Sequence, residues 1–139
     1  MVAGTVVYLD SSALVKLVIE EQESRALRDW MRPTMVLASS ALARTEVVRA
    51  VRPAGQEAVS QARDLLRGLQ LIALDQAVLD SAARIGADEL RSLDAIHLAT
   101  ALALGDDLNE MVTYDRRMIA AARSLGLPVM SPTESSTPG

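Results

Sequence analysis

Thr5–Leu17, TVVYLDSSALVKL, decides how the chain is read. Thr5–Leu9 is a short run of β-branched and apolar residues, the composition of a buried strand. Asp10, Ser11 and Ser12 interrupt it with three small polar side chains. Ala13–Ile19 then has helical character. The segment therefore passes from strand to helix through a polar corner, and Asp10 stands at that corner.

The same alternation continues outward. Glu21–Met31 reads as a second helical stretch, stopped before Pro33. Thr34–Ala38 is a second strand. Ser39 or Ser40 is placed to cap a helix running to about Arg52, which Pro53-Ala54-Gly55 breaks. Gln56–Leu69 is an amphipathic helix and Leu71–Leu74 a short strand. Asp75 caps a helix through about Ile85. Ser92 is placed to cap a helix over Leu93–Leu104, which Gly105 can close. Glu110–Thr113 is a strand that runs into Tyr114-Asp115. Arg116–Leu125 is helical, Gly126 stops it, and Leu127–Met130 is a final strand. Short strands alternating with helices predict an α/β three-layer sandwich, with a short, mostly parallel central sheet flanked by helices. The chain of 139 residues suits one domain. That domain is expected over residues 1–130, with the Ser/Thr/Pro-rich stretch 131–139 a flexible tail.

Composition removes most chemistries. Without cysteine there is no disulfide, thiolate metal site or cysteine nucleophile. With His97 the one histidine, a zinc site of two or three histidines is impossible. No Gly-x-Ser-x-Gly elbow is present to supply a serine nucleophile. The one lysine, Lys16, follows no Gly-rich stretch, so there is no P-loop. Carboxylate chemistry is left, with or without a hard cation.

The net charge of −4 argues against passive nucleic-acid binding. A cluster of acids that recruits a cation gives the same balance. The basic residues are almost all arginine, which grips phosphate in a planar fork. Arg44, Arg49, Arg52, Arg116 and Arg117 lie close in sequence to candidate acids, although solvated helix faces explain such arginines as well. Hydrophobic residues make up 50% of the chain, and its mean hydropathy is +0.18. That apolar excess suggests a surface that meets a partner. No signal-peptide pattern opens the chain, and no apolar run approaches the ~20 residues of a membrane span. A cytoplasmic address without membrane association is expected.

Four acids stand out. Asp10 follows the first strand and Asp115 the fourth, and in open α/β sheets function gathers beyond the carboxyl ends of strands. Helix capping is the plain alternative for each. Glu46 lies inside a helix, on one face with Leu42 and Ala50. Taken alone it reads as a surface glutamate paired with Arg49. Asp94 is the most informative. Its helix, LDAIHLATALAL, is apolar almost all round, with Asp94 and His97 its only ionisable groups. Asp94 sits in the first turn, where the helix dipole favours a carboxylate. With Ser92 available as a cap, a further acid at the mouth of a buried helix points to a site. His97 reads as a hydrogen-bonded packing residue. Ser11 and Thr113 are hydroxyls beside the acids. Either could orient a carboxylate or touch a substrate backbone, with capping and strand-end hydrogen bonding as the simpler roles.

Four carboxylates at one crevice repel each other, and their pKa values rise unless a cation compensates. Mg²⁺ and Mn²⁺ prefer oxygen ligands. Such a cation also activates water for attack on phosphorus and neutralises the leaving oxygen.

YLDSSALVKL, ARTEVVRA, LRSLDAIHLATAL and VTYDRRM, in that order, resemble the PIN domain over nearly the whole chain. Size and single-domain layout are most similar to the VapC toxins of bacterial toxin–antitoxin pairs. The resemblance implies a Mg²⁺- or Mn²⁺-dependent endoribonuclease. It implies Asp10, Glu46, Asp94 and Asp115 as catalytic and metal-binding acids, a homodimer, and a VapB-type antitoxin that blocks the site in a hetero-oligomer. Other classes remain open. A haloacid-dehalogenase-type phosphatase would carry a second Asp where Ser12 stands. A DNA nuclease would use the same acids. A non-catalytic binding module of receiver type would pair its acids with a late lysine, and Lys16 is far too early.

Overall fold

The structure, a computed structural model, describes residues 5–86, 88 and 90–134. Its elements run β1 (Val6–Leu9), α1 (Ser11–Lys16), α2 (Ser24–Trp30), β2 (Val36–Ser40) and α3 (Ala43–Val51). A 3₁₀ turn at Arg52–Ala54 leads into α4 (Gln56–Arg67), β3 (Gln70–Ile72) and α5 (Gln76–Arg84). Then come α6 (Ser92–Ala103), a 3₁₀ turn at Gly105–Asp107, β4 (Leu108–Val112), α7 (Arg116–Ser124) and β5 (Val129–Met130).

The five strands form one sheet in the order β3-β2-β1-β4-β5. Each described pairing is parallel. The chain builds outward from β1 through β2 to β3, then returns to add β4 on the other side of β1. The switch point therefore falls between β1 and β4, and the carboxyl ends of those two strands flank the crevice.

Successive residues of β1 point to opposite faces. Val7 and Leu9 pack with Ala13 and Leu14 of α1, Leu27 of α2, Val47 of α3 and Ala62 of α4. Tyr8 packs on the other face with Leu98 and Ala101 of α6, and Met118 and Ala122 of α7. Two apolar layers thus sandwich a sheet whose central strand is buried on both sides, and the expected three-layer α/β architecture is observed. Among the described residues no helix is long and apolar enough to cross a membrane.

The predicted elements are all present, with shifted ends. Asp75 caps α5 as expected, accepting the Val78 N–H at 2.9 Å. Gly105 follows Leu104, the C-cap of α6, with φ +56°, the left-handed closure that glycine allows. Three capping expectations are corrected. Ser92 is the first residue of α6, and Arg91 before it makes no side-chain capping bond. Ser39 and Ser40 complete β2, and α3 starts at Ala43 with Leu42 as its N-cap residue; Ser40 Oγ accepts the Leu42 N–H at 3.1 Å just ahead of the helix. The reason is pairing: Ser39 and Ser40 are held in register with Leu71 and Ile72 of β3, and Ser39 Oγ donates to the Leu9 carbonyl at 2.6 Å. Helix α1 begins at Ser11, earlier than predicted, because Asp10 caps it. Beyond Met130 the chain stays attached: Ser131 Oγ donates to the Thr113 carbonyl at 2.5 Å, and the Pro132 carbonyl accepts from Tyr114 Oη at 2.7 Å. The remainder of the expected flexible tail, 135–139, lies outside the described residues.

Leu98 is fully buried in the α6 layer, whereas Leu93, five residues earlier, is 47% exposed. Leu98→Ala is expected to cost about 2–5 kcal/mol of folding stability. Leu93→Ala should stay within about 0.5 kcal/mol of the parent. Urea denaturation of both variants checks the assignment of the buried face.

Candidate active site

Asp10 follows β1 and caps α1. Its own N–H still donates to the Val112 carbonyl of β4 at 3.2 Å. Oδ1 accepts the Ala13 N–H at 3.0 Å and the Ser12 hydroxyl at 2.7 Å. Oδ2 accepts Thr113 Oγ1–H at 2.6 Å. The residue is 3% exposed. Burial pushes its carboxyl above the ordinary aspartate range, outweighing the hydrogen bonds that favour the charge.

Thr113 joins the two strand ends. While its hydroxyl donates to Asp10, its oxygen accepts the Asp115 N–H at 3.2 Å. Asp115 then caps α7, with Oδ1 accepting from the Arg117 and Met118 N–H groups at 2.9 and 3.1 Å. The capping role and the site position foreseen for Asp10 and Asp115 are therefore compatible. Capping of α7 occupies one carboxylate oxygen of Asp115, and the residue still lines a cavity.

That cavity, of about 410 Å³, is lined by Arg91, Asp94, Asp115, Arg116 and Arg117. Asp94 enters it from the first turn of α6. Burial raises the Asp94 carboxyl, and the nearby charges of Asp115 and Asp10 raise it further against the opposing influence of His97 and Arg91. Asp94, in the first turn of α6, thus feels the acids that follow β1 and β4.

Glu46 reaches the same corner from α3, on the opposite layer. It does not make the expected surface pair with Arg49. Its Oε1 accepts the Ser11 hydroxyl at 2.5 Å and lies 2.7 Å from His97 Nε2. Burial pushes its carboxyl up, but the hydrogen bonds from His97 and Ser11 prevail and hold it below the usual glutamate range. His97 is buried, as its packing role requires, and its Nδ1 lies 2.7 Å from Tyr8 Oη. Its contact with Glu46 is the part that sequence reasoning missed. The available signal was the pair Asp94 and His97, one turn apart in an otherwise apolar helix.

Among the described residues, no three Asp, Glu or His groups already stand close enough to share one cation. The donor set nevertheless suits a hard one. Every candidate ligand is a carboxylate oxygen, and Asp94 is held in mutual repulsion with Asp115 and Asp10, which a divalent charge would relieve. Each carboxylate oxygen has two lone pairs, so the hydrogen bonds to Asp10 do not exhaust it.

The PIN domain family matches residues 7–124. Ribonuclease VapC46 of Mycobacterium tuberculosis is 50% identical over 127 residues, covering 91% of this chain and 98% of that protein. Ribonuclease VapC47 of the same species is 41% identical over 131 residues, covering 91% of this chain and 96% of that one. Among solved structures, a toxin–antitoxin complex from Klebsiella pneumoniae superposes with a TM-score of 0.68 at 20% identity, over 92% of this chain and 98% of that one, and supports the fold. The family match spans most of the chain and the curated relatives align almost end to end, so the chain belongs to the PIN-domain family, among the VapC ribonucleases.

Proposed function

We propose that this chain is a divalent-metal-dependent endoribonuclease, the toxin of a toxin–antitoxin pair. The observation that supports it is that Asp94 and Asp115 line one cavity at the β1/β4 switch point, near enough to the buried Asp10 for its charge to act on Asp94, with Glu46 hydrogen-bonded to Ser11 and His97. The curated relatives are named ribonucleases, which supports RNA as the substrate.

Asp10, Asp94, Asp115 and Glu46 would hold Mg²⁺, or Mn²⁺ in its place. When bound, the cation supplies activation of the attacking water and neutralisation of charge on the leaving oxygen. The chain's own residues do the rest. Thr113 and Ser12 orient the Asp10 carboxylate, and Ser11 orients Glu46. Arg91, Arg116 and Arg117 share the cavity with Asp94 and Asp115, where they can grip the phosphates of an incoming strand. Acids alone would repel that strand, so cavity arginines and a cation together make the site attractive to RNA.

A VapB-type antitoxin is the proposed partner, on a homodimer of this chain in the cytoplasm. Solvent-facing apolar side chains such as Leu79 and Leu93, 44% and 47% exposed, support a covered surface.

The deciding experiment is cleavage of single-stranded RNA by purified chain freed of partners. Cleavage is expected with Mg²⁺ or Mn²⁺ and not in excess chelator. Asp10→Asn should lower kcat by about 100-fold or more, the effect of losing several kcal/mol of transition-state stabilisation. Full activity in chelator, or an unaffected Asp10→Asn variant, would overturn the mechanism.

Linkage gives a second expectation. Asp10 and Asp94 have raised folded-state pKa values, so their charged forms cost stability above those values. That cost is lifted as pH falls towards the ordinary carboxylate range. Asp94→Asn should therefore raise the melting temperature of the metal-free protein at neutral pH. At ~100 times its dissociation constant, Mn²⁺ should stabilise the parent by about 2.7 kcal/mol and the variant by less. Thermal denaturation with chelator and with Mn²⁺ measures both. Arg116→Ala, placed in the Asp10→Asn background, should weaken RNA binding and reduce the log–log salt slope by about 1, as read by titration at several salt concentrations.

A further inference from the structure

His97 is the chain's one histidine. It stands with 2% exposure between two groups of opposite need. On one side, Nδ1 lies 2.7 Å from Tyr8 Oη. On the other, Nε2 lies 2.7 Å from Glu46 Oε1 and 3.3 Å from Ser11 Oγ. The ring of Tyr8 meets the imidazole edge-on, with centroids 5.9 Å apart and planes at 71°. Both rings are thereby fixed by packing as well as by the hydrogen bond.

A ring nitrogen donates or accepts according to where the hydrogen sits, and the partner of each nitrogen decides that. Tyr8 is fully buried, so its O–H must find an acceptor within the protein. Nδ1, at 2.7 Å, is the partner that the structure gives it. On the other side of the ring Glu46 Oε1 can only accept, so Nε2 carries a hydrogen and the neutral ring offers its lone pair at Nδ1. The phenol donates to that lone pair.

The same Glu46 oxygen also receives the Ser11 hydroxyl at 2.5 Å. Two donors converge on Oε1, and Oε2 is left for other partners. Tyr8 comes from β1, His97 from α6 and Glu46 from α3. The chain of bonds thus crosses the carboxyl edge of the sheet, from the α6 layer to the α3 layer.

We propose that Tyr8 and Glu46 together lock His97 in its Nε2–H tautomer, and that His97 so held is a positioning residue that fixes the Glu46 carboxylate beside the Asp10–Asp94–Asp115 crevice. The inference rests on the ribonuclease reading for its consequence in catalysis, though the tautomer itself does not.

Because the chain has a single histidine, ¹⁵N-histidine labelling of the full metal-free protein gives one unambiguous pair of ring signals. The expected spectrum has Nε2 protonated and Nδ1 unprotonated in the parent, with the Nδ1 signal displaced in Tyr8→Phe by loss of its hydrogen bond. A hydrogen on Nδ1 in the parent, or an unchanged Nδ1 signal in Tyr8→Phe, overturns the lock. His97→Gln retains an N–H donor towards Glu46, and His97→Leu does not. His97→Leu is expected to lose about 10–100-fold both in RNA cleavage and in Mn²⁺ affinity measured by calorimetry. His97→Gln should recover most of each. Equal losses in the two folded variants, or none in His97→Leu, overturn the positioning role. Absence of RNA cleavage by the parent would instead sink the ribonuclease reading and leave the tautomer and Mn²⁺ results to judge the proposal.

Discussion

The Asp10 carboxylate sits 3% exposed at the carboxyl end of the central strand, with protein donors on both oxygens. Burying a charge there is costly unless hydrogen bonds and neighbours compensate. Each compensating group fixes a piece of the architecture. The Ala13 N–H makes Asp10 the cap that starts α1. The Thr113 hydroxyl ties the end of β1 to the end of β4, and the same oxygen holds the Asp115 N–H. Loss of this carboxylate would therefore disturb a helix start and a strand-end link as well as any bound cation.

The second constraint is the placement of the acids in two layers. Asp94 descends from α6, whereas Glu46 belongs to α3 on the other face of the sheet. Side chains from the two layers can meet only past an edge of the sheet, and these meet beyond the carboxyl ends of the strands. Ser11 and His97 bridge that gap by converging on Glu46 Oε1. The bridge also sorts the acids electrostatically. Glu46 is pulled below the usual range by its donors, while Asp94 and Asp10 are pushed above theirs. One acid is prepared to stay charged and the others are held in tension, an arrangement that favours a cation at the crevice.

Much of the fold was legible in local pattern. Strand-length apolar runs, helix-period segments and glycine stops placed the elements, because burial on both faces of a parallel sheet leaves near-continuous apolar strands. Errors gathered at helix starts. Ser39, Ser40 and Ser92 have the right chemistry for caps, yet Ser39 and Ser40 are claimed by pairing with β3 and Ser92 lies within the first turn. A short polar residue advertises several hydrogen-bonding roles, and only its three-dimensional neighbours choose among them. The site was legible unevenly. Asp94 was conspicuous as an acid in an apolar helix. Glu46 looked like any surface glutamate, because nothing within its helix reveals a partner 51 residues away.

The sequence by itself determined the alternation of strands and helices, the lack of cysteine and of a second histidine that leaves carboxylates as the candidate ligands, and the positions of Asp10 and Asp115 after their strands. These follow from composition and from periodicity over a few residues. Tertiary structure alone decided that β4 returns beside β1, that Thr113 links two strand ends, and that Tyr8, His97, Ser11 and Glu46 form one hydrogen-bonded chain. Those contacts join residues 35 to 103 positions apart. They exist because packing both faces of the sheet brings distant side chains to a single edge, a consequence that no local pattern encodes.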